Sequence, residues 1–212
     1  VGAGPYKVPY RWRPMNFTVD SVEYVNERAT ATQQTGFSFV AQMRSWLPNP
    51  VGGVFWFGVD DANTSVYVPM FCGITEIPNC FKVGNGDMLT FSWTSAFWIY
   101  NWVANQAYHK YSYMIKDIRP VQQALENGFT ADLPKLDNMA RSLYTQYPDS
   151  VRSLLTRYSV EQAEASTARW KQLGEYLMVK YIDGNVKKEK DGRFERNEYG
   201  LPAYPEFPGY DA

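Results

Sequence analysis

The sequence predicts an α+β fold, with strands in the N-terminal part of the chain and long helices in the C-terminal part. Up to about residue 82, short β-branched and aromatic runs are interrupted by Gly, Pro and Asn, which is typical of strands. From Ser92 onward, apolar residues recur every three or four positions, which is typical of helices. We therefore divide the chain into a strand-rich part of the core at 1–90, a helical part of the same domain at 91–185 and an extended C-terminal arm at 186–212.

The strand-rich part is predicted to contain three consecutive strands, at 37–46, 51–59 and 65–71. Four turn-forming residues at 60–63 separate the last two strands, which fits a hairpin loop. The middle strand carries the run V-F-W-F-G-V at 54–59, which is apolar on both faces. We therefore expect other structure to cover both faces of that strand.

The helical part begins with a long amphipathic segment. Ser92 or Thr94 can cap this first helix, which is predicted to end near Asp117. Pro120 then breaks the helix or opens the next one. Gly128 is expected to mark a helix end.

Two further helices are predicted, the first of them at 133–147. Ser159, followed three residues later by Gln162, fits a capping box, so the last helix is predicted to start there and to run to about Tyr181. The charged run at 187–191 is predicted to be a solvated loop.

The composition excludes several classes of protein. The 212 residues hold 21 Lys+Arg against 22 Asp+Glu, so the chain has no basic excess for binding phosphates, and nucleic acid is not an expected partner. The most apolar stretch, 88–104, is too short and too polar to span a bilayer, so a membrane is not expected either. One His and two Cys exclude zinc fingers, three-His zinc centres and H-E-x-x-H metallopeptidases, and we predict no metal and no other cofactor.

No self-contained catalytic constellation is visible. His109 is the one candidate base for a Ser-His-Asp hydrolase, but it lies inside the predicted first helix and no G-x-S-x-G elbow occurs, so we favour a helix surface or packing role. The spacing of Cys72 and Cys80 permits a disulfide, but we favour two free thiols, neither in a recognisable nucleophile setting. Asp60 and Asp61 are adjacent and so point in different directions, which favours a turn role over acid–base catalysis.

Nine short strings, each weak alone, follow one another in a specific order and spacing over roughly residues 5–185. They are E-R-A-T at 27–30, Q-Q-T at 33–35, S-F-V-A-Q-M-R at 38–44, L-P at 47–48, G-G-V at 52–54, T-S-V-Y-V-P at 64–69, S-A-F-W at 95–98, V-A-N-Q-A-Y at 103–108 and Y-S at 111–112. Together they resemble the bacterial dipeptidase A family, whose eukaryotic relatives are the secernins.

The resemblance implies an N-terminal nucleophile hydrolase that cleaves dipeptides and has a four-layer αββα core, of which this chain would form part. Members of the family use the Cys at the start of the mature chain as nucleophile, and the α-amine of that Cys takes its proton, so no His is needed. This chain starts with Val1 and its first Cys is Cys72. We therefore expect the nucleophile and half of the core to lie upstream, and the fragment alone to be inactive. The implied partners are a dipeptide or short peptide substrate and the remainder of the same polypeptide, and a homo-oligomer stays open.

The resemblance also selects candidate site residues. Arg28 is expected nearest to the missing nucleophile, where its guanidinium would hold a peptide carboxylate or orient the Cys; a structural salt bridge is the alternative. Four further residues are candidate substrate-binding groups, as hydrogen-bond donors to an oxyanion or to the substrate backbone: Thr30, Gln34, Thr35 and Gln42. For each of them the alternative is a hydrogen bond within a strand or an exposed position.

Two other classes of function remain open. The 16 Tyr, 12 Phe and 7 Trp suit an aromatic-rich module that binds peptides or glycans without catalysis. Such a module needs a platform of three or more exposed rings. A structural or oligomerisation domain, the other alternative, would pack its long helices mainly on a second copy.

Overall fold

The computed structural model describes residues 6–9, 16–25 and 31–203. The strands in these ranges are β1 (Phe17–Val19), β2 (Val22–Tyr24), β3 (Phe37–Met43), β4 (Gly53–Val59), β5 (Val68–Phe71), β6 (Glu189–Lys190) and β7 (Arg193–Phe194). The helices are the single turn α1 (Asn49–Gly52) and the longer α2 (Ala96–His109), α3 (Tyr111–Tyr144) and α4 (Pro148–Tyr181), with 3₁₀ turns at Asn79–Phe81 and Ile182–Gly184. The N-terminal strands and the long C-terminal helices confirm the α+β prediction.

The central sheet is antiparallel, in the order β3-β4-β5. Phe37 pairs with Val59 at one end of β3 and Met43 pairs with Gly53 at the other. The three predicted strands are therefore confirmed, although β3 ends earlier than predicted and β4 and β5 start later. The connection between β4 and β5 contains the predicted turn residues at 60–63 but runs to residue 67. Strand β4 is buried at its two ends and half-buried at its three aromatic residues, so the expected cover on both faces is only partial there.

Helices α3 and α4 cover the outer edge of β5. The Tyr67 amide donates to Glu126 Oε1 at 3.1 Å, and Gln122 Nε2 donates to the Ser65 carbonyl at 2.6 Å. Both acceptor and donor side chains belong to α3. Because unpaired backbone groups at a sheet edge cost free energy when buried, these side chains let the helices pack directly on that edge.

Two apolar clusters join the helices to the sheet. The larger one combines Val59, Val68 and Met70 of the sheet with residues of α2, α3 and α4. The smaller one surrounds Phe71 and draws on α1, α3 and α4. The strand-rich and helical parts therefore share one core, although the domain boundaries themselves stay a prediction.

The predicted first helix is wrong in its C-terminal boundary, because α2 ends at His109 and α3 starts at Tyr111. The break lies at Lys110, whose φ of −146° and ψ of 54° are not helical. The predicted end at Gly128 is also wrong, since α3 continues through Pro120, Gly128 and Pro134 as one helix of 34 residues. Gly128 does not take the left-handed conformation of a helix cap.

Packing explains why α3 continues through Pro120, Gly128 and Pro134. One side of the helix buries Ile118, Phe129 and Leu133, among others, against the core. Burial of each large apolar side chain contributes roughly 1.5–3 kcal/mol, so several of them together outweigh the cost of about 1 kcal/mol for a helical Gly and about 3 kcal/mol for each helical Pro.

The predicted start of the last helix is wrong as well. Helix α4 begins at Pro148, which suits a first helical turn, and Ser159 lies well inside it. The Ser159 hydroxyl donates to the Pro69 carbonyl at 3.1 Å and accepts from the Phe71 amide at 3.2 Å, so it bonds β5 rather than capping a helix. The predicted end at Tyr181 is confirmed.

The charged run at 187–191 is not a simple solvated loop. Strands β6 and β7 pair there as a short hairpin, and Glu189 Oε2 lies 2.8 Å from Lys180 Nζ of α4. The ring of Phe194 also stacks on that of Tyr176 at a centroid distance of 5.8 Å. A charge pattern alone did not reveal this docking, and residues 204–212 of the predicted arm lie outside the described residues.

The described ranges contain one three-stranded sheet and two short hairpins. The second sheet of an αββα sandwich is not among them, so the four-layer core stays an implication of the resemblance. In the same ranges, no helix combines the length and the apolar character needed to cross a membrane.

Candidate active site

Polar residues gather at the end of the sheet where β3 begins and β4 ends. The Asp60 amide, just after β4, donates to the carbonyl of Gly36, just before β3, at 2.9 Å. The turn at 32–36 and the loop at 60–63 therefore lie side by side. Two of the sequence-predicted residues, Gln34 and Thr35, belong to that turn.

The turn is held by Thr32 and Thr35. Thr35 Oγ1 accepts from the Thr32 amide at 2.9 Å, and the Thr35 amide donates to the Thr32 carbonyl at 3.0 Å. The Gln34 amide donates to Thr32 Oγ1 at 3.2 Å, and Gln34 is exposed. The Thr35 hydroxyl thus has a structural role, and the Gln34 side chain lies at the surface of this end of the sheet.

Asp60 is a buried carboxylate in a strained backbone position. It is 2% exposed, and its φ of 65° is in the left-handed region that few residues other than Gly adopt. Its Oδ1 accepts from Asn101 Nδ2 of α2 at 2.7 Å. Burial raises the pKa of Asp60 to about 6, and hydrogen bonds from the Asp61 backbone and from Asn101 oppose that rise.

Asp61 is also buried, but it faces other partners. Its Oδ2 accepts from the hydroxyls of Tyr108 at 3.0 Å and Thr64 at 3.2 Å, and its Oδ1 accepts from the Asn63 amide at 2.9 Å. The two carboxylates therefore point in different directions and Asp61 has the predicted turn role. Sequence reasoning missed their burial. The signal available for it was the presence of polar side chains, Asn101 among them, on an otherwise apolar helix.

Gln42 lies at the opposite end of β3. At about 3.3 Å per residue, it is roughly 20 Å from Thr35. Its Oε1 accepts from Trp56 Nε1 at 3.0 Å. The structure therefore does not bring Gln42 together with Gln34 and Thr35, and its substrate-binding role stays a prediction. Arg28 and Thr30 lie outside the described residues.

Residues 3–124 match the sequence model of peptidase family C69. The chain belongs to this family. The match spans more than half of the chain and includes the turn at 32–36, the central sheet and α2. It confirms the suspected relationship to the dipeptidase A group and makes the protein a peptidase at the level of its family. No curated protein matches the chain.

The C69 chain has few candidate nucleophiles and bases within its described residues. Cys72 is exposed and its thiol is free. Its backbone amide donates to the Gly53 carbonyl, so the residue lies at the end of the sheet opposite to Asp60. Cys80 is free and buried, and burial raises the pKa of its thiol to about 12, which disfavours the reactive thiolate. His109 is exposed at the C-terminal end of α2.

Other chemistries find little support in the same residues. No group of three or more His, Cys, Asp or Glu side chains in the described ranges could hold a metal ion. Arg44, part of the motif at 38–44, is buried and pairs with Asp137, while its Nη2 donates to the Val51 carbonyl at 2.7 Å. Arg44 therefore fixes the short helix α1 and is not available to bind substrate.

Proposed function

We propose that this C69 chain is a segment of a cysteine-type dipeptidase, an N-terminal nucleophile hydrolase whose nucleophilic Cys lies upstream of Val1. Membership of the peptidase family is the observation that carries the proposal. The two thiols of the chain support it indirectly, because Cys80 is buried and Cys72 lies at the opposite end of the sheet from Gln34 and Thr35. On this proposal the 212 residues alone are inactive.

The reaction needs no metal and no separate base. The α-amine of the upstream Cys takes the thiol proton, the sulfur bonds to the carbonyl carbon of the dipeptide, and the C–N bond breaks as the leaving amine accepts that proton. Water then hydrolyses the thioester, which releases the acyl part as an amino acid and restores the thiol. The oxyanion that forms at each step requires hydrogen-bond donors.

The candidate residues take roles in this reaction according to their chemistry. Arg28 pairs with the substrate carboxylate or orients the Cys. The Thr35 hydroxyl accepts from Thr32, which leaves its own proton available for donation to the substrate, and the exposed Gln34 amide is a second donor. Thr30 precedes this turn in the chain. The distant Gln42 is a substrate-binding residue only if the peptide extends along β3.

The remainder of the polypeptide is the proposed structural partner, and the outer edge of β3 supports it. The even-numbered positions 36 and 44 form backbone hydrogen bonds across to positions 60 and 52. Because such bonds alternate along an antiparallel pair, the backbone groups of the odd-numbered residues of β3 point away from β4. Phe37 and Met43 are 60% and 76% exposed along this edge. An upstream strand that pairs there would cover them, and a second copy of the chain is the alternative occupant.

The test uses the full-length protein and a panel of dipeptides. Replacing the first Cys of the mature chain with Ala should reduce kcat/KM by at least about 10³-fold, since the nucleophile is lost. Cys72→Ala is the matched control and should leave activity unchanged, because that thiol is exposed and remote from the candidate site. Equal activity of the first variant and the wild type, or loss of activity in Cys72→Ala, would refute the upstream nucleophile.

An aromatic-rich binding module is the second candidate. The observation that favours it is the exposure of Phe37 and Phe39, 60% and 52%, on one face of the sheet beside the half-buried Phe55 and Phe57. That face has two exposed rings rather than the three or more that such a platform needs. Binding of peptides or glycans by the full-length protein without any hydrolysis would favour this candidate.

A further inference from the structure

A cleft of about 350 Å³ lies on the sheet face that carries Phe57 and Val59. Its other walls come from the 3₁₀ turn Asn79–Phe81, the loop at 82–90 and the start of α2. The lining is largely apolar, with side chains that include Phe57, Val59, Phe81, Val83, Met88 and Phe97. Its polar residues include Lys82, Asn85 and Asp87 of the loop. The volume is within the range of roughly 300–1,000 Å³ typical of small-molecule sites.

The cleft adjoins the candidate active site. Val59, in its wall, is followed directly by Asp60, and its cross-strand partner is Phe37. The Phe37 ring lies 6.1 Å from that of Phe57, and Phe37 follows the turn that carries Gln34 and Thr35. The same face of the sheet thus connects the polar turn to the apolar cleft.

Ser95 is the buried polar group of this wall. It is 7% exposed and occupies the N-cap position of α2, but its hydroxyl makes no capping hydrogen bond. A Ser at that position normally caps the helix. Ser95 therefore adds one polar group to the largely apolar lining of the cleft.

The loop at 82–90 has a defined conformation around the cleft. Trp98 Nε1 donates to the carbonyls of Asp87 and Thr90, both at 3.0 Å, and the Asp87 amide donates to the Thr90 carbonyl at 3.0 Å. Gly86 allows this close turn, since a β-carbon there would lie 2.8 Å from the Thr90 carbonyl oxygen. The same turn leaves the Met88 side chain at the rim of the cleft, 83% exposed.

We propose that this cleft binds a large apolar or aromatic side chain of the peptide substrate. The inference rests on the proposed peptidase function and specifies its substrate class. The apolar walls favour such side chains, because a charged side chain loses its hydration there. The two charged residues of the lining, Lys82 and Asp87, are both exposed. One apolar pocket of this kind discriminates between side chains by roughly 10–200-fold in kcat/KM.

The test compares Met88→Asp with Leu89→Asp in the full-length protein. Both residues are exposed in the same loop, but Met88 lines the cleft and Leu89 does not. The measurement is kcat/KM for Phe-Ala, Ala-Phe, Ala-Ala and Asp-Ala. The wild type should prefer a Phe dipeptide over Ala-Ala, Met88→Asp should reduce that preference by about 10-fold or more, and Leu89→Asp should leave it unchanged.

The outcomes separate the two proposals. Hydrolysis of Ala-Ala with no preference for Phe, or the same preference in Met88→Asp as in the wild type, would refute the apolar subsite and leave the dipeptidase proposal intact. A shift as large in Leu89→Asp would also refute the subsite, since a charge in the loop would then act without the cleft. Absence of hydrolysis for all four dipeptides would contradict both proposals.

Discussion

Gly174 of α4 lies directly against the indole ring of Trp102 in α2. A β-carbon at position 174 would overlap the ring, at 2.7 Å from Cε3 and 3.0 Å from Cη2. One turn earlier in α4, Trp170 stacks on Tyr100 of α2 at 5.2 Å. The close approach of the two helices therefore depends on a residue without a side chain, and it sets the position from which Asn101 reaches Asp60.

Gly174→Ala should destabilise the protein although Ala is the better helix former. Propensity favours Ala by about 1 kcal/mol, but overpacking a full core costs typically 1–3 kcal/mol. We expect a net loss in the free energy of unfolding, measured by urea titration. Gly128→Ala in α3 is the matched control, because no atom lies within 4 Å of its β-carbon position, and it should stabilise by about 0.5–1 kcal/mol. Stabilisation by both substitutions would contradict the packing argument.

Ser159→Ala should destabilise the edge of the sheet. The substitution leaves the Phe71 amide and the Pro69 carbonyl buried without their hydrogen-bond partner. An unsatisfied buried group costs about 1–3 kcal/mol, so the free energy of unfolding should fall by at least that amount. Hydrogen exchange at the Phe71 amide should also accelerate.

The control for this prediction is Ser166→Ala in the same helix. Ser166 is equally buried, but its hydroxyl donates to the Gln162 carbonyl of its own helix at 2.6 Å. That carbonyl already accepts a hydrogen bond within the helix, so loss of the Ser166 hydroxyl should cost less stability than loss of the Ser159 hydroxyl. An equal effect of the two substitutions would show that the bond to β5 is not the cause.

Arg44→Lys should be strongly destabilising although the charge is kept. Arg44 bonds Asp137 and the carbonyls of Val51 and Gly52 at once, with a buried side chain. A Lys ammonium cannot reproduce this planar arrangement, and breaking a buried pair costs about 3–5 kcal/mol. Arg152→Lys, at an exposed residue with one bond of 3.4 Å to the Gly73 carbonyl, should change stability by less than about 0.5 kcal/mol. A urea titration of both variants decides the point.

The sheet was predictable because its signals are local. The β-branched and aromatic runs of β3 to β5 and the turn residues at 60–63 lie within the elements that they define or directly beside them. The helix boundaries were not predictable in this way. Ser159 and Gly128 are local signals for helix ends, but long-range contacts override them. The Ser159 hydroxyl bonds a strand about 90 positions away in sequence. The residue pattern of one helix cannot reveal such a distant hydrogen-bond partner.

The candidate site was predictable in part. The motif selected Gln34 and Thr35, whose turn contacts Asp60 through the Gly36 carbonyl, and their role in substrate binding stays a prediction. The burial of Asp60 depends on α2, whose Asn101 bonds Asp60 although the two residues are 41 positions apart in sequence. The sequence predicted a turn role for the adjacent Asp60 and Asp61, and nothing within the turn indicated their burial.

Asp60→Asn should stabilise the protein at neutral pH and much less at low pH. The pKa of Asp60 is about 6 in the folded chain against 3.8 for an unperturbed Asp, so the folded state binds the proton more tightly. The free energy of unfolding therefore falls as the pH rises from about 4 to about 6. Each unit of difference between the two pKa values corresponds to about 1.4 kcal/mol, so ionised Asp60 lowers the free energy of unfolding by at most roughly 3 kcal/mol above pH 7. Asn removes this penalty and tolerates the left-handed φ.

The measurement is urea unfolding of both proteins at pH 4 and pH 7.5. Asp191→Asn is the matched control, because Asp191 also has a positive φ, 51°, but is exposed. It should give no comparable gain at either pH. If Asp60→Asn destabilised the protein equally at both pH values, the hydrogen bond from Asn101 to a carboxylate would outweigh the cost of burial, and the direction of the pKa shift would be wrong.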